Sequence, residues 1–221
     1  MAKLLKKKVL FFLLTCNLFT QFANAQYYEP SRLFYGGLIG GFNFSQVDGD
    51  NFAGYHKAGF NVGGVLFMKL AEQFAPSIEF SYAQKGSRTG NNQSALANDK
   101  QTTLLKYRIN LNYAEMPILL NYFEERKTNF GAGFALGYLI GSKENYTTNT
   151  GITYEQDAKL YPFKKLDMNF VLNGNAHIWE GFFINLRFNY SLFSIRNNGN
   201  SLTGRSEQFN NVWTTRILYM F

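Results

Sequence analysis

Phe182-Phe183-Ile184-Asn185-Leu186-Arg187-Phe188-Asn189-Tyr190-Ser191-Leu192 alternates without a break. Phe182, Ile184, Leu186, Phe188, Tyr190 and Leu192 share one face, while Phe183, Asn185, Arg187, Asn189 and Ser191 share the other. Successive side chains of a strand point to opposite faces, so a period of two predicts a strand. The segment 166–178 repeats the pattern, with Leu166, Met168, Phe170, Leu172 and Ile178 against Asp167, Asn169, Asn173, Asn175 and His177. Six further segments fit the same template, near 33–45, 58–69, 74–86, 104–121, 129–141 and 209–221. The links at 70–73, 122–128 and 179–181 are short. Those at 46–57, 87–103, 142–165 and 197–208 are longer and rich in Asn, Gly, Ser and Asp. Eight strands joined alternately by short turns and long polar loops predict an all-β, antiparallel, up-and-down transmembrane barrel.

The size of the side chains decides which face looks inward. A closed eight-stranded barrel holds only modest side chains. Phe182, Phe188, Tyr190, Tyr82, Phe134, Tyr138, Trp213, Tyr219 and Phe221 would overfill it. Turned to lipid, with Tyr and Trp near the interfaces, they sit at little cost. The other face carries Glu79, Lys85, Lys106, Arg108, Asp167, Arg187 and Arg216, which are therefore expected in the lumen. In 129–141, Gly131, Gly133, Gly137 and Gly141 share the inward face and leave room for long side chains from other strands. The segment 104–121 breaks its own alternation, because Lys106, Arg108, Asn110 and Asn112 share parity with apolar Ile118 and Leu120. A one-residue bulge between Ala114 and Pro117 would restore the order and turn Glu115 inward.

The 221 residues are 46% hydrophobic and 18% aromatic, which excludes a disordered chain. The formal net charge of +7 falls to +3 without Lys3, Lys6, Lys7 and Lys8, so no case for nucleic acid remains. Those lysines open a leader. An apolar run from Val9 to Leu14 follows, with Leu18, Phe19 and Phe22 beyond it, and then Ala23-Asn24-Ala25. This is the three-part pattern of a secretory signal, with cleavage between Ala25 and Gln26. Residues 1–25 are then the signal peptide and 26–221 the barrel domain. The apolar run is too short for a membrane anchor of about 20 residues. The single cysteine, Cys16, lies in the leader, so the mature chain is expected to hold no disulfide or thiolate metal site. The last segment places Trp213, Ile217, Tyr219 and Phe221 on one face and ends on an aromatic. That ending resembles the signal read by the barrel-assembly machinery, with Trp213, Tyr219 and Phe221 as its expected elements.

Several stretches carry a family resemblance. They are Gly40-Gly41-Phe42-Asn43-Phe44-Ser45, Lys57-Ala58-Gly59-Phe60, Pro76-Ser77-Ile78-Glu79-Phe80-Ser81-Tyr82-Ala83-Gln84-Lys85-Gly86, Tyr113-Ala114-Glu115-Met116-Pro117-Ile118-Leu119-Leu120 and Arg187-Phe188-Asn189-Tyr190-Ser191-Leu192. In these the chain resembles the PorT-type family of small outer-membrane β-barrels of Gram-negative bacteria. The resemblance implies an eight-stranded barrel in the outer membrane. The family's namesake takes part in type IX secretion, but this chain resembles a general member, so the fold carries over and the role does not.

Charges enclosed in a narrow barrel are costly unless paired. Glu79, Asp167 and Glu115 against Lys85, Lys106, Arg108, Arg187 and Arg216 suggest a salt-bridged plug. The alternative, favoured by the basic excess, is a narrow pore for anionic or polar solutes. Catalysis is not expected. His56 lies in an external loop and His177 near the periplasmic end, and His56 with Asp48 and Asp50 lacks a nucleophile. Asp48-Gly49-Asp50-Asn51 lacks a calcium-loop pattern and reads as a turn. Tyr146, Tyr154 and Tyr161 could stack on a glycan, or could extend the strands above the membrane around Asn149-Thr150-Gly151. No cofactor or metal is expected. The expected partners are outer-membrane lipid, the assembly machinery during insertion, and an envelope protein meeting the external loops.

Overall fold

The computed structural model describes residues 32–91, 93–124, 128–157, 159–196, 203–205 and 207–221. Ala23, Ala25 and Gln26 of the expected cleavage site lie outside the described residues. The strands are β1 (Phe34–Asp48), β2 (Lys57–Met68), β3 (Phe74–Arg88), β4 (Ala95–Leu96), β5 (Thr103–Glu124), β6 (Thr128–Thr148), β7 (Thr153–Glu155), β8 (Leu166–Trp179), β9 (Phe182–Ser191) and β10 (Phe209–Met220). Eight of them are long, and each pairs antiparallel with the next, in the order β1, β2, β3, β5, β6, β8, β9, β10. Pairing of β10 with β1, from Phe209↔Asp48 to Met220↔Gly37, closes the ring. The fold is an antiparallel up-and-down barrel. β4 and β7 are short additions to the upper ends of β5 and β6, among the long connections.

The outer wall is apolar. Leu38, Phe42, Phe60, Phe80, Ile118, Phe130, Phe134, Leu172, Ile184 and Leu186 are all roughly half exposed. An apolar surface that encircles the molecule belongs in hydrocarbon rather than water. Phe188 packs on Trp213 at 5.0 Å on this outward face, and Tyr190 stacks near Phe209. The inward residues of β9 are Phe183, Asn185, Arg187, Asn189 and Ser191, each buried.

The interior is filled in layers. At the end with short turns, Tyr35, Ile39, Val65, Phe67, Phe123, Phe183, Leu218 and Met220 form an apolar cluster. Charged and amide side chains occupy the middle. At the other end a second apolar cluster joins Val47, Tyr107, Ile109, Leu111, Tyr113 and Leu139 to Phe52, Ala97, Phe163 and Ile195. Those last four come from the four long connections, so each of these loops sends a side chain into the barrel mouth.

β5 corrects two expectations. Its inward residues run Tyr107, Ile109, Leu111, Tyr113, Glu115, Pro117, Leu119, Asn121 and Phe123, one parity throughout. No bulge falls between Ala114 and Pro117. Lys106 and Arg108 point outward and are exposed, with Asn110 and Asn112 on the same outer face. They are not lumen residues. The apparent break in alternation marks a change of surroundings: below it the outer face meets lipid and is apolar, and above it the outer face meets water and is polar. The upper barrel is therefore built like a soluble one, apolar inside and polar outside. The bulges lie elsewhere, where Leu105 of β5 and Ile140 of β6 are skipped in the pairing. The skip at Ile140 changes the inward parity of β6 from Leu139 to Glu144, since one extra residue reverses every later side chain.

Candidate functional site

Two inward rows on β3 and β9 meet across the middle of the lumen. Arg187 grips Glu79 with both terminal nitrogens, one at 2.9 Å from Oε2 and the other on Oε1. Arg216 donates to the same Oε2 at 3.1 Å. Amides take the remaining donors. Arg187 Nε reaches Asn173 at 3.0 Å, Arg216 Nε reaches Asn185 at 2.8 Å, and Arg216 also reaches Asn61 at 3.1 Å. Asn185 in turn donates to Asn173 and Asn175, each at 2.7 Å. A carboxylate shared by two guanidiniums, with amides satisfying the rest, is the arrangement that makes a buried charge tolerable.

A second centre lies nearer the mouth. Lys85 Nζ sits 2.5 Å from Glu115, 3.7 Å from Asp167 and 3.3 Å from Asn169 Oδ1, above the Tyr113 ring. Asp167 also accepts from Ser191 and Asn210, each at 2.8 Å. Gly137 leaves the space that the Tyr113 ring takes, since a Cβ there would stand 3.3 Å from it. Of the eight charged residues expected in the lumen, six (Glu79, Lys85, Glu115, Asp167, Arg187 and Arg216) meet there. Three acids face three bases. The basic excess that favoured an anion pore came from Lys106 and Arg108, and the structure puts both outside.

A third centre was not legible in the sequence. Glu144 takes a hydrogen bond from the Tyr107 hydroxyl and pairs with Arg196 at 2.7 Å. Arg196 also donates to Gln208 Oε1 at 2.9 Å and to the Tyr161 carbonyl at 2.7 Å, and it lies 3.8 Å over the Phe163 ring. One guanidinium thus ties the third and fourth external connections to the barrel wall. Glu144 fell in an expected loop, and its inward aim depends on the skip at Ile140. No local motif announces that.

The first external loop closes the mouth with Phe52, which stacks on Tyr107 at 5.2 Å. Asp50 beside it is 1% exposed, and its Oδ1 accepts the Phe52 amide at 2.8 Å. Burial raises its pKa from 3.8 to about 6, against the lowering pull of Ser87 and the Phe52 amide, with Asp48 adding to the rise. The folded loop therefore holds this proton more tightly than an open loop does. Asp50's contribution is fully present below about 4 and is lost as pH rises through about 6. We expect amide exchange at Phe52, corrected for intrinsic rates, to quicken between pH 4 and 7. Asp50→Asn should flatten that slope, and an unchanged slope in the variant would refute the assignment.

The two acids that precede His56 in the sequence have other partners. Asp48 is held by Gln46 at 2.7 Å and Asn211 at 3.1 Å, and Asp50 is turned into the plug. His177 sits at the opposite end, with its ring on Phe183 and bonded to the Glu180 carbonyl. Among the described residues no group of three or more His, Cys, Asp and Glu could hold a metal. Tyr146 and Tyr154 stack at 5.4 Å across the β6–β7 hairpin, which turns at Gly151 with φ of 79°. The strand extension is thus real, but β6 meets the short β7 there rather than β8. Trp213, Tyr219 and Phe221 all lie on the outer side of the closing strand or at its end.

The sequence profile of the outer membrane protein beta-barrel domain family matches residues 22–197. No curated protein matches the chain. Among solved structures, the attachment invasion locus protein Ail of Yersinia pestis is 14% identical, covering 85% of this chain and 98% of its own, with a TM-score of 0.49. Neisserial surface protein A is 7% identical, covering 86% of this chain and 98% of its own, with a TM-score of 0.43. The N-terminal barrel domain of Pseudomonas aeruginosa OprF is 9% identical, covering 84% and 97%, with a TM-score of 0.33.

Proposed function

The chain belongs to the outer membrane protein beta-barrel domain family, and from that premise we propose that it is a closed, membrane-anchored scaffold rather than a pore, working through the structure it raises above the membrane. The observation that carries this reading is the layered interior, with an apolar cluster at each end of the barrel and paired charges between them. Eight strands enclose a space that side chains can fill, and the four long connections all contribute to the seal. Within the family, the stretches Pro76–Gly86 and Tyr113–Leu120 support a PorT-type member. They also supply Glu79, Lys85 and Glu115 of the lumen. Export through a signal cleaved before Gln26, and insertion guided by Trp213, Tyr219 and Phe221, complete the proposal.

In planar bilayers the purified protein is expected to give no stable open steps. Steps of porin size in the unmodified protein would overturn the closed reading and restore the solute pore.

A further inference from the structure

The outward turn of Lys106 and Arg108 creates a feature that a closed barrel does not require. Above the apolar belt, a cleft of about 700 Å³ opens on the side wall of the barrel, bordered by Arg88 of β3, Lys106 and Arg108 of β5, Asn145 of β6, and Asn91 and Ser94 of the β3–β4 connection. Its volume lies within the usual range of small-ligand sites, about 300–1,000 Å³. Arg88 and Arg108 are direct cross-strand partners, a placement that destabilises a sheet when the charges are alike.

No acid lines the cleft, and among the described residues no hydrogen bond or ion pair engages the side chains of Arg88, Lys106 or Arg108. The carboxylates closest in the pairing and the loops are already used. Glu155 pairs with Lys143 at 2.7 Å. Asp99 accepts the Gln101 and Thr102 amides and the Thr102 hydroxyl. The side-chain oxygen of Asn145 is buried and has no hydrogen-bond partner among the described residues. Three uncompensated cations, an unused acceptor and a lining that mixes amides and hydroxyls with Tyr107 and the ring of Tyr146 describe a site for a ligand that brings its own negative charge, hydroxyl groups and a flat face to lie on a ring.

We infer that this side-wall cleft binds a phosphorylated or otherwise multiply anionic saccharide. A peptide rich in carboxylates would match the charge, but among the described lining residues Leu105 is the only aliphatic side chain to receive its apolar residues, and the Tyr146 ring suits the face of a sugar. Arg108 stands roughly 15 Å above the level of Ala114, where the outer face turns apolar, at about 3.4 Å per residue and a tilt near 40°. The cleft faces sideways along the membrane plane. Sugars carried by the membrane's own glycolipid pass at that height, and a soluble glycan of the same chemistry would be bound by the same groups. The inference is independent of whether the lumen conducts: a conducting barrel with an intact cleft would refute only the closed-scaffold reading, and a silent barrel without saccharide binding would refute only this one.

The test uses the full mature barrel in detergent and a deacylated, phosphorylated core oligosaccharide as probe, with binding measured by calorimetry at low and moderate salt. Binding should weaken as salt rises. It should fall about tenfold or more in Arg88→Gln/Arg108→Gln and after the oligosaccharide is dephosphorylated. Lys159→Gln, an exposed lysine outside the cleft, should change nothing. Retained heat-modifiable mobility on gels shows that the variants are folded. Nanodiscs carrying the intact glycolipid supply the second arm. Binding to the glycolipid alone identifies the membrane source, and equal binding of the free oligosaccharide identifies a soluble one. Equal affinity of the double variant and the unmodified protein, absence of binding in both arms, or full competition by an acidic peptide would overturn the assignment.

Discussion

Glu79→Ala is expected to destabilise the barrel by about 3–5 kcal/mol, the usual result of removing one partner from a buried ionic group. The reason is geometric. Glu79 is the shared acceptor of Arg187 and Arg216, so its loss leaves two guanidiniums facing one another in an enclosed space with amides as their remaining hydrogen-bond partners among the described residues. Denaturant titration of the protein refolded in lipid vesicles measures the change. Glu79→Gln keeps the shape and part of the hydrogen bonding but removes the charge, and should fall between the two. Replacing Glu79, Arg187 and Arg216 together by methionine should recover most of the loss, because apolar side chains of similar volume often substitute for a buried ion group at little cost. A change below about 1 kcal/mol in Glu79→Ala would show that water reaches the network and that the lumen is not sealed.

Arg196→Ala is expected to have a comparable effect, confined to the mouth. Arg196 is buried and serves Glu144, Gln208, the Tyr161 carbonyl and the Phe163 ring at once. Without it, Glu144 remains inside the apolar cluster with only the Tyr107 hydroxyl. The local cost should again be about 3–5 kcal/mol, released by opening of the external connections rather than by loss of the barrel. Limited proteolysis should therefore cut the third and fourth connections at least tenfold faster, while the protease-resistant barrel fragment persists. Equal cleavage rates would place the seal elsewhere. Glu144→Gln tests the same contact from the other side and should give the milder phenotype, since a neutral amide can stay buried beside the arginine.

The strand register was largely legible because lipid imposes a strict rule on the outer wall. Phe182 to Ser191 and Leu166 to Trp179 agree with the expected bounds to within a residue. The inward positions of Glu79, Lys85, Asp167, Arg187 and Arg216 follow from the same parity. Glu115 also faces inward, but for a different reason from the one expected, since the parity of β5 never changes. Lys106 and Arg108 were misassigned because alternation reports two faces without saying which is inside. In the hydrocarbon belt the apolar face must be the outer one, whereas above it the assignment reverses. The upper half of β6 and the short β7 extended an expected loop for a related reason: the skip at Ile140 changes the parity, and the residues beyond it satisfy no single alternating template.

By itself the chain of residues determined an all-β ring of amphipathic strands with charges on its narrower-side-chain face, because a period of two and the bulk of the aromatic face allow no other economical closure. Only the tertiary structure decided which charges meet. Pairing of Glu79 with Arg187 and Arg216, the capture of Glu144 by Arg196, and the cluster of unopposed cations at Arg88 and Arg108 each join strands or loops far apart in sequence. Their formation depends on strand register, on two skipped residues, and on the height at which lipid gives way to water, and none of these is encoded within a single segment.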